Sequence, residues 1–600
     1  MTRENVGNKS TSTRKVPART GGEWFLKILQ DLDIHYLFGT TGGGMPDIQD
    51  AMTEIKPPIW IQSLHEFPTV VASMGYALAS DQPAVCLIDR IVGTANALGA
   101  LYAAFENYAP IVLFTSQNLP ALASGKMPDG SSRRFGVHYH SWQSLLTTPW
   151  TKWRYELSHF DMLPSSLCKA MMLANNEPTG PTHMTLRQDL MAARIASSSM
   201  PFSRKGIQRI HAGADTKSVD QAIKLLVEAE SPVLWATNMG RHPSTVPLLV
   251  ELAEKLGAPV LDGRNFMNFP MYHPLFLGFH TYRMTQALIE NADLIVNIEN
   301  YYEPPITPSS SFDILDIMVD PRMAQGGSGG DYGGTYYEAS CRLVGDSATI
   351  LQQLLKSLAS NTDISQEQVT NRFHAQQEAH NTLLKRWQDE AEQHYDDDPV
   401  SPYRIAFELN QLWTNDTIWV NQTITMRQAL MHGIFLNQPG TYFSNPSGHL
   451  GVTAGSAYGV ALARPREKVI AMMGDGDFIF GNPPAVLWTC SHYQIPVLYL
   501  IFNNQCWGVE WPFLVDATLG LAVTQKNYEH VDLMDPIINF TKMAESMSVA
   551  TDVIKHPNET KKKLQWGLNT VAKGAPALIE IQIKKYTSGP SSYQYTFERP

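Results

Sequence analysis

The sequence predicts an α/β protein of three domains, each organised around a parallel sheet, and three observations carry that expectation. The chain has 600 residues, more than one hydrophobic core can serve when domains average ~150 residues. Strand-like apolar runs alternate with helix-length amphipathic runs, the pattern of parallel strands joined by crossovers. The alternation also stops at polar stretches and restarts beyond them, which divides the chain.

Taken in order, residues 1–20 read as a disordered tail. Arg3, Lys9, Arg14, Lys15 and Arg19 stand among Ser and Thr with one acid, Glu4, a composition shared with organelle transit peptides. Residues 21–195 form the first α/β domain: the amphipathic run EWFLKILQDL, the strand HYLFG, the glycine turn TTGGGMPD and, further on, the strand PIVLFTS. Residues 206–360 form a central α/β domain, with SVDQAIKLLVEAE, PVLWATN, APVLD and ADLIVNIEN as its parts. Within it QGGSGGDYGG, from Gln325, has neither GxGxxG spacing nor a Walker lysine, and reads as a loop. Residues 361–400 are polar, helical in pattern and closed by Asp396-Asp397-Asp398-Pro399, which marks a linker. Residues 401–585 make the third domain, and 586–600 form an aromatic tail behind a Gly-Pro break that could fold back as a flap.

Composition narrows the function classes. The net charge is -11 with no cluster of Lys and Arg, which argues against a nucleic-acid partner. No run approaches the roughly twenty apolar residues of a membrane span. Cys86, Cys168, Cys341, Cys490 and Cys506 are scattered and lack CxxC spacing, so they read as buried thiols of a reducing compartment. The expectation is a soluble cytoplasmic protein, with organelle targeting through the basic tail as the minor alternative.

The chemistry concentrates in GDGDFIFGNPPAVLWTCSHYQIPVLYLIFNN, residues 474–504. The strand-like KVIAMM precedes it, a helix-like run occupies its middle, and VLYLIF brings it to Asn503 and Asn504. A strand, crossover helix and parallel strand put both ends at the carboxyl edge of one sheet, where ligands collect. Asp475 and Asn504 then face one space with a carboxylate and an amide oxygen. That is ligand chemistry for a hard cation such as magnesium, which completes an octahedron at about 2.1 Å with water and phosphate oxygens. Gly474 and Gly476 would let the backbone turn tightly and approach phosphate closely. Either end alone reads as an ordinary turn; the pair joined by one crossover favours the ligand reading.

The stretch resembles the cofactor motif of thiamine-diphosphate-dependent enzymes, which begins GDG and ends NN. The resemblance implies that Asp475, Asn504 and the main-chain carbonyl of Cys506 hold Mg2+, and that the cation carries the diphosphate. Asp477 departs from the small residue usual after GDG; it is counted with the cofactor-binding residues, expected either to point away from the diphosphate, which repels a second carboxylate, or to assist the cation indirectly. In LHEFPTVVASMGYALA, similar to the family's HE segment, Glu66 is implied as the acid that protonates the far pyrimidine nitrogen; the competing reading is an acid in the first turn of a helix. FGTTGGGMPD resembles the family's FG-x-PGG turn, and VGTANALGALYAAFENYAP its GPGxxN helix, with Gly93 and Asn96 in matching places. In YFSNPSGHLGV, Gly448 and Leu450 fall where the family binds the aminopyrimidine and enforces the bent cofactor, and Thr423 or Thr425 falls among diphosphate contacts.

The resemblance covers about residues 22–585 and implies three doubly wound parallel-sheet domains. The branch is that of acetohydroxyacid synthase, pyruvate oxidase and benzoylformate decarboxylase. It further implies a homodimer or homotetramer with active sites at the subunit interface, and leaves FAD or ADP in the central domain open with no fingerprint to support it.

On the substrate side, VLWTCSHYQIP and GVEWPF resemble benzoylformate decarboxylase, but that enzyme's carboxylate-binding serine falls on Gly43 and one of its histidines on Asp89. A second histidine matches His273, in a His-Pro pair widespread in the branch. His138 and His140 are candidate proton relays, against the alternative of a solvent-facing strand. Glu510 resembles an acid used by 2-hydroxyacyl-CoA lyases, against the alternative of an exposed helix acid. The expected activity is a carbon–carbon lyase acting on a 2-oxo acid, as decarboxylase or carboligase. A 2-hydroxyacyl-CoA lyase giving formyl-CoA, and a non-catalytic cofactor-binding homologue, are the alternatives.

Overall fold

In the computed structural model the described residues are 14–16, 18–118, 142–195, 198–200, 207–279, 286–300, 312–321, 336–360, 363–515 and 518–585. His138, His140, the glycine-rich run from Gln325 and the tail 586–600 lie outside them. The chain divides into two compact units, Met1–Ala77 with Gln82–Arg209, and Leu78–Asp81 with Ile210–Pro600.

The first unit holds a six-stranded parallel sheet in the spatial order Ile59–Gln62, Tyr36–Gly39, Ala84–Ile88, Ile111–Gln117, Thr182–Arg187 and Trp153–Glu156. Its inner strands Ala84–Ile88 and Ile111–Gln117 are buried along their whole length, as strands covered by helices on both faces must be. The helix Gly21–Asp31 begins where Thr20 accepts a hydrogen bond from the Glu23 N–H at 3.1 Å, and buries Trp24, Phe25, Ile28 and Leu29 on one face. The expected tail stops short of residue 20. Arg14–Val16 pairs antiparallel with Ser198–Met200, since a second strand is at hand to satisfy its backbone groups.

The second unit holds two more parallel six-stranded sheets. The central one runs Phe276–Phe279, Val260–Asp262, Pro232–Ala236, Leu294–Ile298, Asp313–Met318 and Cys341–Val344. The third runs Tyr442–Ser444, Thr417–Asn421, Lys468–Gly474, Val497–Asn503, Ala577–Gln582 and Ala550–Ile554. In chain order the first and third sheets are both 2-1-3-4-6-5, whereas the central sheet is 3-2-1-4-5-6.

The stretch read as a linker is a packed element. Gln366–Gln393 is one helix of 28 residues, capped by Ser365. Trp387 is 1% exposed and stacks on His432 at 4.4 Å and on Phe279 at 5.9 Å. His380 Nδ1 lies 2.7 Å from the Phe276 carbonyl oxygen. Its composition is polar because only one narrow stripe faces protein, so periodicity over the whole run understates the packing. Among the described residues no helix is long and apolar enough to cross a membrane.

Candidate functional site

An open parallel sheet binds ligands where its strand order reverses, because the connections there leave to opposite faces and part the loops. In the third sheet that point lies between Thr417–Asn421 and Lys468–Gly474, paired from Thr417↔Lys468 to Asn421↔Met472. The next strand, Val497–Asn503, sets Phe502 opposite Gly474. A cleft opens there, lined by Gln422, Ile424, Thr425 and Met426 after the first strand, Gly474–Asp477 after the second, and Asn504, Cys506 and Trp507–Val509 after the third, with Leu450 beside them.

Asp475 and Asn504 therefore meet as the crossover predicted. Asp475 is buried, and its oxygens accept from the N–H groups of Gly476 at 2.9 Å and Gln505 at 2.7 Å. Burial pushes its carboxyl up to about 7 despite those donors. Asn504 is also buried, its Oδ1 accepting the Cys506 N–H at 3.1 Å and keeping a second lone pair. The Cys506 carbonyl accepts the Gly508 N–H at 2.9 Å.

Asp477, the departure from the family pattern, has a definite role. Its Oδ1 accepts the Gly451 N–H at 2.7 Å, at the start of the helix Val452–Ala463. Its Oδ2 is buried with no hydrogen-bond partner among the described residues, and burial pushes the carboxyl up to about 7. Two buried acids lie on one cleft, with no basic side chain among its described lining residues, a donor set that could hold a divalent cation. The described residues contain no cluster of three His, Cys, Asp or Glu side chains for a metal.

The glycines act differently from expectation. Gly474 has φ -75° and starts no tight left-handed turn; a Cβ there would meet nothing within 4 Å. A Cβ on Gly476 would lie 2.3 Å from the Trp507 ring, so this glycine serves close packing. Gly448 and Gly451 are the positions here that need a glycine backbone, with φ +71° and +82°.

Other expected residues separate. Thr425 and Leu450 line the cleft. Thr423 does not, because its hydroxyl and N–H are spent on Asn421 Oδ1 at 2.7 and 2.9 Å, and Gly448 is outside the lining. Glu510 is exposed at the start of the helix Glu510–Val515, and its neighbour Val509 takes the place on the cleft. Sequence reasoning missed Gln422, whose Nε2 donates to the His449 carbonyl at 2.6 Å while its Oε1 accepts the Thr453 N–H at 3.2 Å. It also missed Trp507. The bare Gly476 that accommodates its ring was the only signal for it.

In the first unit Glu66 opens the helix Glu66–Ser80 and is half-buried. Asn96 Nδ2 donates to its Oε2 at 3.1 Å, and a Cβ on Gly93 would lie 3.1 Å from its Oε1. The matching family positions thus come together. The apolar burial expected of Glu66 is incomplete within one chain, because Leu64 and Val92 beside it are themselves exposed.

Comparisons with known proteins agree with this layout. Family models described as the thiamine pyrophosphate enzyme N-terminal TPP binding domain, central domain and C-terminal TPP binding domain match residues 19–131, 219–354 and 424–581. A probable acetolactate synthase large subunit of Methanocaldococcus jannaschii is 24% identical over 590 residues, covering 94% of this chain and 92% of its own length. A benzoylformate decarboxylase of Pseudomonas aeruginosa is 25% identical over 500 residues, covering 80% and 85%. Among solved structures, benzoylformate decarboxylase from Polynucleobacter necessarius shares the fold with a TM-score of 0.74 at 20% identity, covering 94% of this chain and 99% of that one. Rhodococcus jostii 4-hydroxybenzoylformate decarboxylase does so at 0.72 and 21%, with the same coverage.

Proposed function

The chain belongs to the thiamine pyrophosphate enzyme family, as an enzyme of the acetolactate synthase and benzoylformate decarboxylase type, and from that premise we propose that it is a magnesium-dependent carbon–carbon lyase acting on 2-oxo acids. The observation that carries the reading is the cleft in which Asp475 and Asn504 converge beside the unsatisfied Asp477 oxygen.

Asp475 Oδ atoms, the free lone pair of Asn504 Oδ1 and the Cys506 carbonyl would hold Mg2+, their orientation fixed by the N–H groups they already accept. Thr425, Gly474 and Gly476 would border the diphosphate, and Leu450 and Gly448 the pyrimidine end. When bound, thiamine diphosphate supplies the electron sink for bond cleavage beside a carbonyl. Glu66 holds the proton for the pyrimidine nitrogen, with Asn96 steering one carboxyl oxygen and leaving the other to act. That task needs an apolar surround, so a second copy of the chain covers Glu66 in the active molecule, a homodimer or homotetramer. Glu510, on which the 2-hydroxyacyl-CoA alternative rests, is exposed beside the cleft within one chain, so the 2-oxo acid reading is put first.

The test is incubation of the magnesium and thiamine diphosphate holoenzyme with panels of 2-oxo acids and 2-hydroxyacyl-CoAs, with products identified by mass spectrometry. Turnover of a 2-oxo acid, reduced at least 100-fold in kcat by Glu66→Gln, is the expected result. No turnover of any substrate, together with unchanged cofactor affinity and spectrum in Glu66→Gln, would leave only a cofactor-binding homologue.

A further inference from the structure

The first sheet repeats the strand order of the third, so its own point of reversal, where such sheets take ligands, lies between Tyr36–Gly39 and Ala84–Ile88. The chain leaving those strands is Thr40–Gly44 and Asp89–Arg90. Asp89 is spoken for: its Oδ1 accepts the Gly44 N–H at 3.1 Å and also the Ser116 hydroxyl. Arg90 is not. Its main-chain N–H donates to Ser116 Oγ at 3.1 Å, and its guanidinium makes no hydrogen bond to any described residue. The side chain is nevertheless only 15% exposed, and Nε is fully shielded. Its ion-pair contact is Asp89 Oδ1, 3.7 Å from Nε, an oxygen already bonded twice.

A largely shielded guanidinium that no described residue hydrogen-bonds, and that only a long contact to Asp89 balances, is suited to an oxyanion. Two features hold it in that state. Arg90 has φ +53°, a left-handed conformation that a residue of this size adopts only when its surroundings impose it. The three glycines facing it also differ. A Cβ on Gly42 would strike the Asp89 carboxyl at 2.2 Å and one on Gly44 the Ser116 hydroxyl at 2.2 Å, whereas on Gly43 it would meet only the guanidinium, with Nη2 at 3.1 Å. Gly43 thus leaves its open side over the cation.

We propose that Arg90 anchors an oxyanion of the substrate other than the carboxylate that departs. The inference rests on the 2-oxo-acid reading above. A cation clamped on the departing carboxylate would stabilise the ground state more than the transition state and slow its loss; on a remote carboxylate or phosphate it adds binding at no such cost. The substrate class is therefore a 2-oxo acid bearing a second anionic group, held by a fork suited to carboxylate and phosphate alike.

In the experiment, wild-type, Arg90→Gln and Arg90→Lys holoenzymes are compared on dicarboxylic, phosphorylated and monocarboxylic 2-oxo acids, with inorganic phosphate as a competing probe. Arg90→Gln should raise KM for the dianionic substrate about 10-fold to 100-fold with kcat within about 3-fold, lower the dianion-over-monoanion preference by at least 10-fold, and abolish competition by phosphate. Arg90→Lys should recover part of each, and cofactor affinity should not move. Which dianion responds separates carboxylate from phosphate as the natural group. Unchanged KM and unchanged phosphate competition in Arg90→Gln overturn the proposal, as does a wild-type preference for monoanions. If no 2-oxo acid is turned over, the lyase reading fails on its own, and the thermal shift of the holoenzyme with phosphate decides this one: a shift lost in Arg90→Gln supports it, and a shift that is absent or retained overturns it.

Discussion

At the crevice of the central sheet, the chain leaving Pro232–Ala236 is tied to the chain leaving Leu294–Ile298: Thr237 Oγ1 donates to Asn300 Oδ1 at 3.0 Å and Asn238 Nδ2 to the Glu299 carbonyl at 2.9 Å. Glu299 itself pairs with Arg241, both side chains 1% exposed, and accepts from Ser347. Asp262, at the end of its strand, accepts from Asn268 and from the Arg264 N–H. At the crevice of the third sheet the corresponding acids are Asp475 and Asp477, which among the described residues receive main-chain N–H groups and no basic partner, and in one case leave an oxygen unsatisfied. The two sheets place acids at the same edge: Glu299 is balanced by Arg241, whereas Asp262, Asp475 and Asp477 receive N–H donors, and of these Asp477 has an oxygen with no hydrogen-bond partner among the described residues. A strand-end carboxylate is thus a ligand or a brace according to whether the protein completes its partners.

The comparison can be broken at either site. Asp475→Ala should abolish magnesium-dependent binding of thiamine diphosphate, by at least ~100-fold in Kd measured calorimetrically, while the cofactor-free protein is no less stable because a buried carboxyl is gone; undiminished binding would sink the metal assignment. Arg241→Met should do the reverse. It strands Glu299 in the interior, costing about 3–5 kcal/mol in urea unfolding, and cofactor affinity should stay within two-fold.

Titration sharpens the contrast further. Burial pushes Asp262 up to about 6, against the pull of the Arg264 and Asn268 donors. Between its ordinary value and that one the folded state holds a proton that the unfolded state has released, so stability falls as pH rises from about 4 to 6, by ~2–3 kcal/mol. Urea midpoints at the two ends of this window should differ less in Asp262→Asn than in the wild type. The smallest effect belongs to Glu510→Gln, which should change stability by under ~0.5 kcal/mol and kcat by under about two-fold, given its exposure outside the cleft.

What the sequence made legible follows from range. Asp475 and Asn504 were readable because one crossover joins them, and a single strand-helix-strand unit dictates their meeting. The three sheets were readable because each strand carries its own apolar run. Gln422 and Trp507 were not, since their places depend on His449, Thr453 and Gly476, contacts between segments that no local pattern connects. Thr423 and Glu510 fail for the complementary reason: each lies beside a motif in sequence, yet Asn421 takes the first inward and solvent takes the second. Asp477 stands out in sequence only as a departure from the usual small residue, since its hydrogen-bond partner, the Gly451 N–H, lies in a separate segment.

The helix Gln366–Gln393 bears on how this protein can be cut. It extends ~42 Å, and its Trp387 lies between Phe279 of the central sheet and His432 of the helix Arg427–Gly433. A fragment starting at residue 401 would keep every candidate ligand of the third sheet and lose the ring that covers His432. The smallest autonomous piece carrying the cleft therefore begins near residue 210, and a proteolytic nick in the acidic run before Pro399 should leave two fragments that stay together until they are denatured.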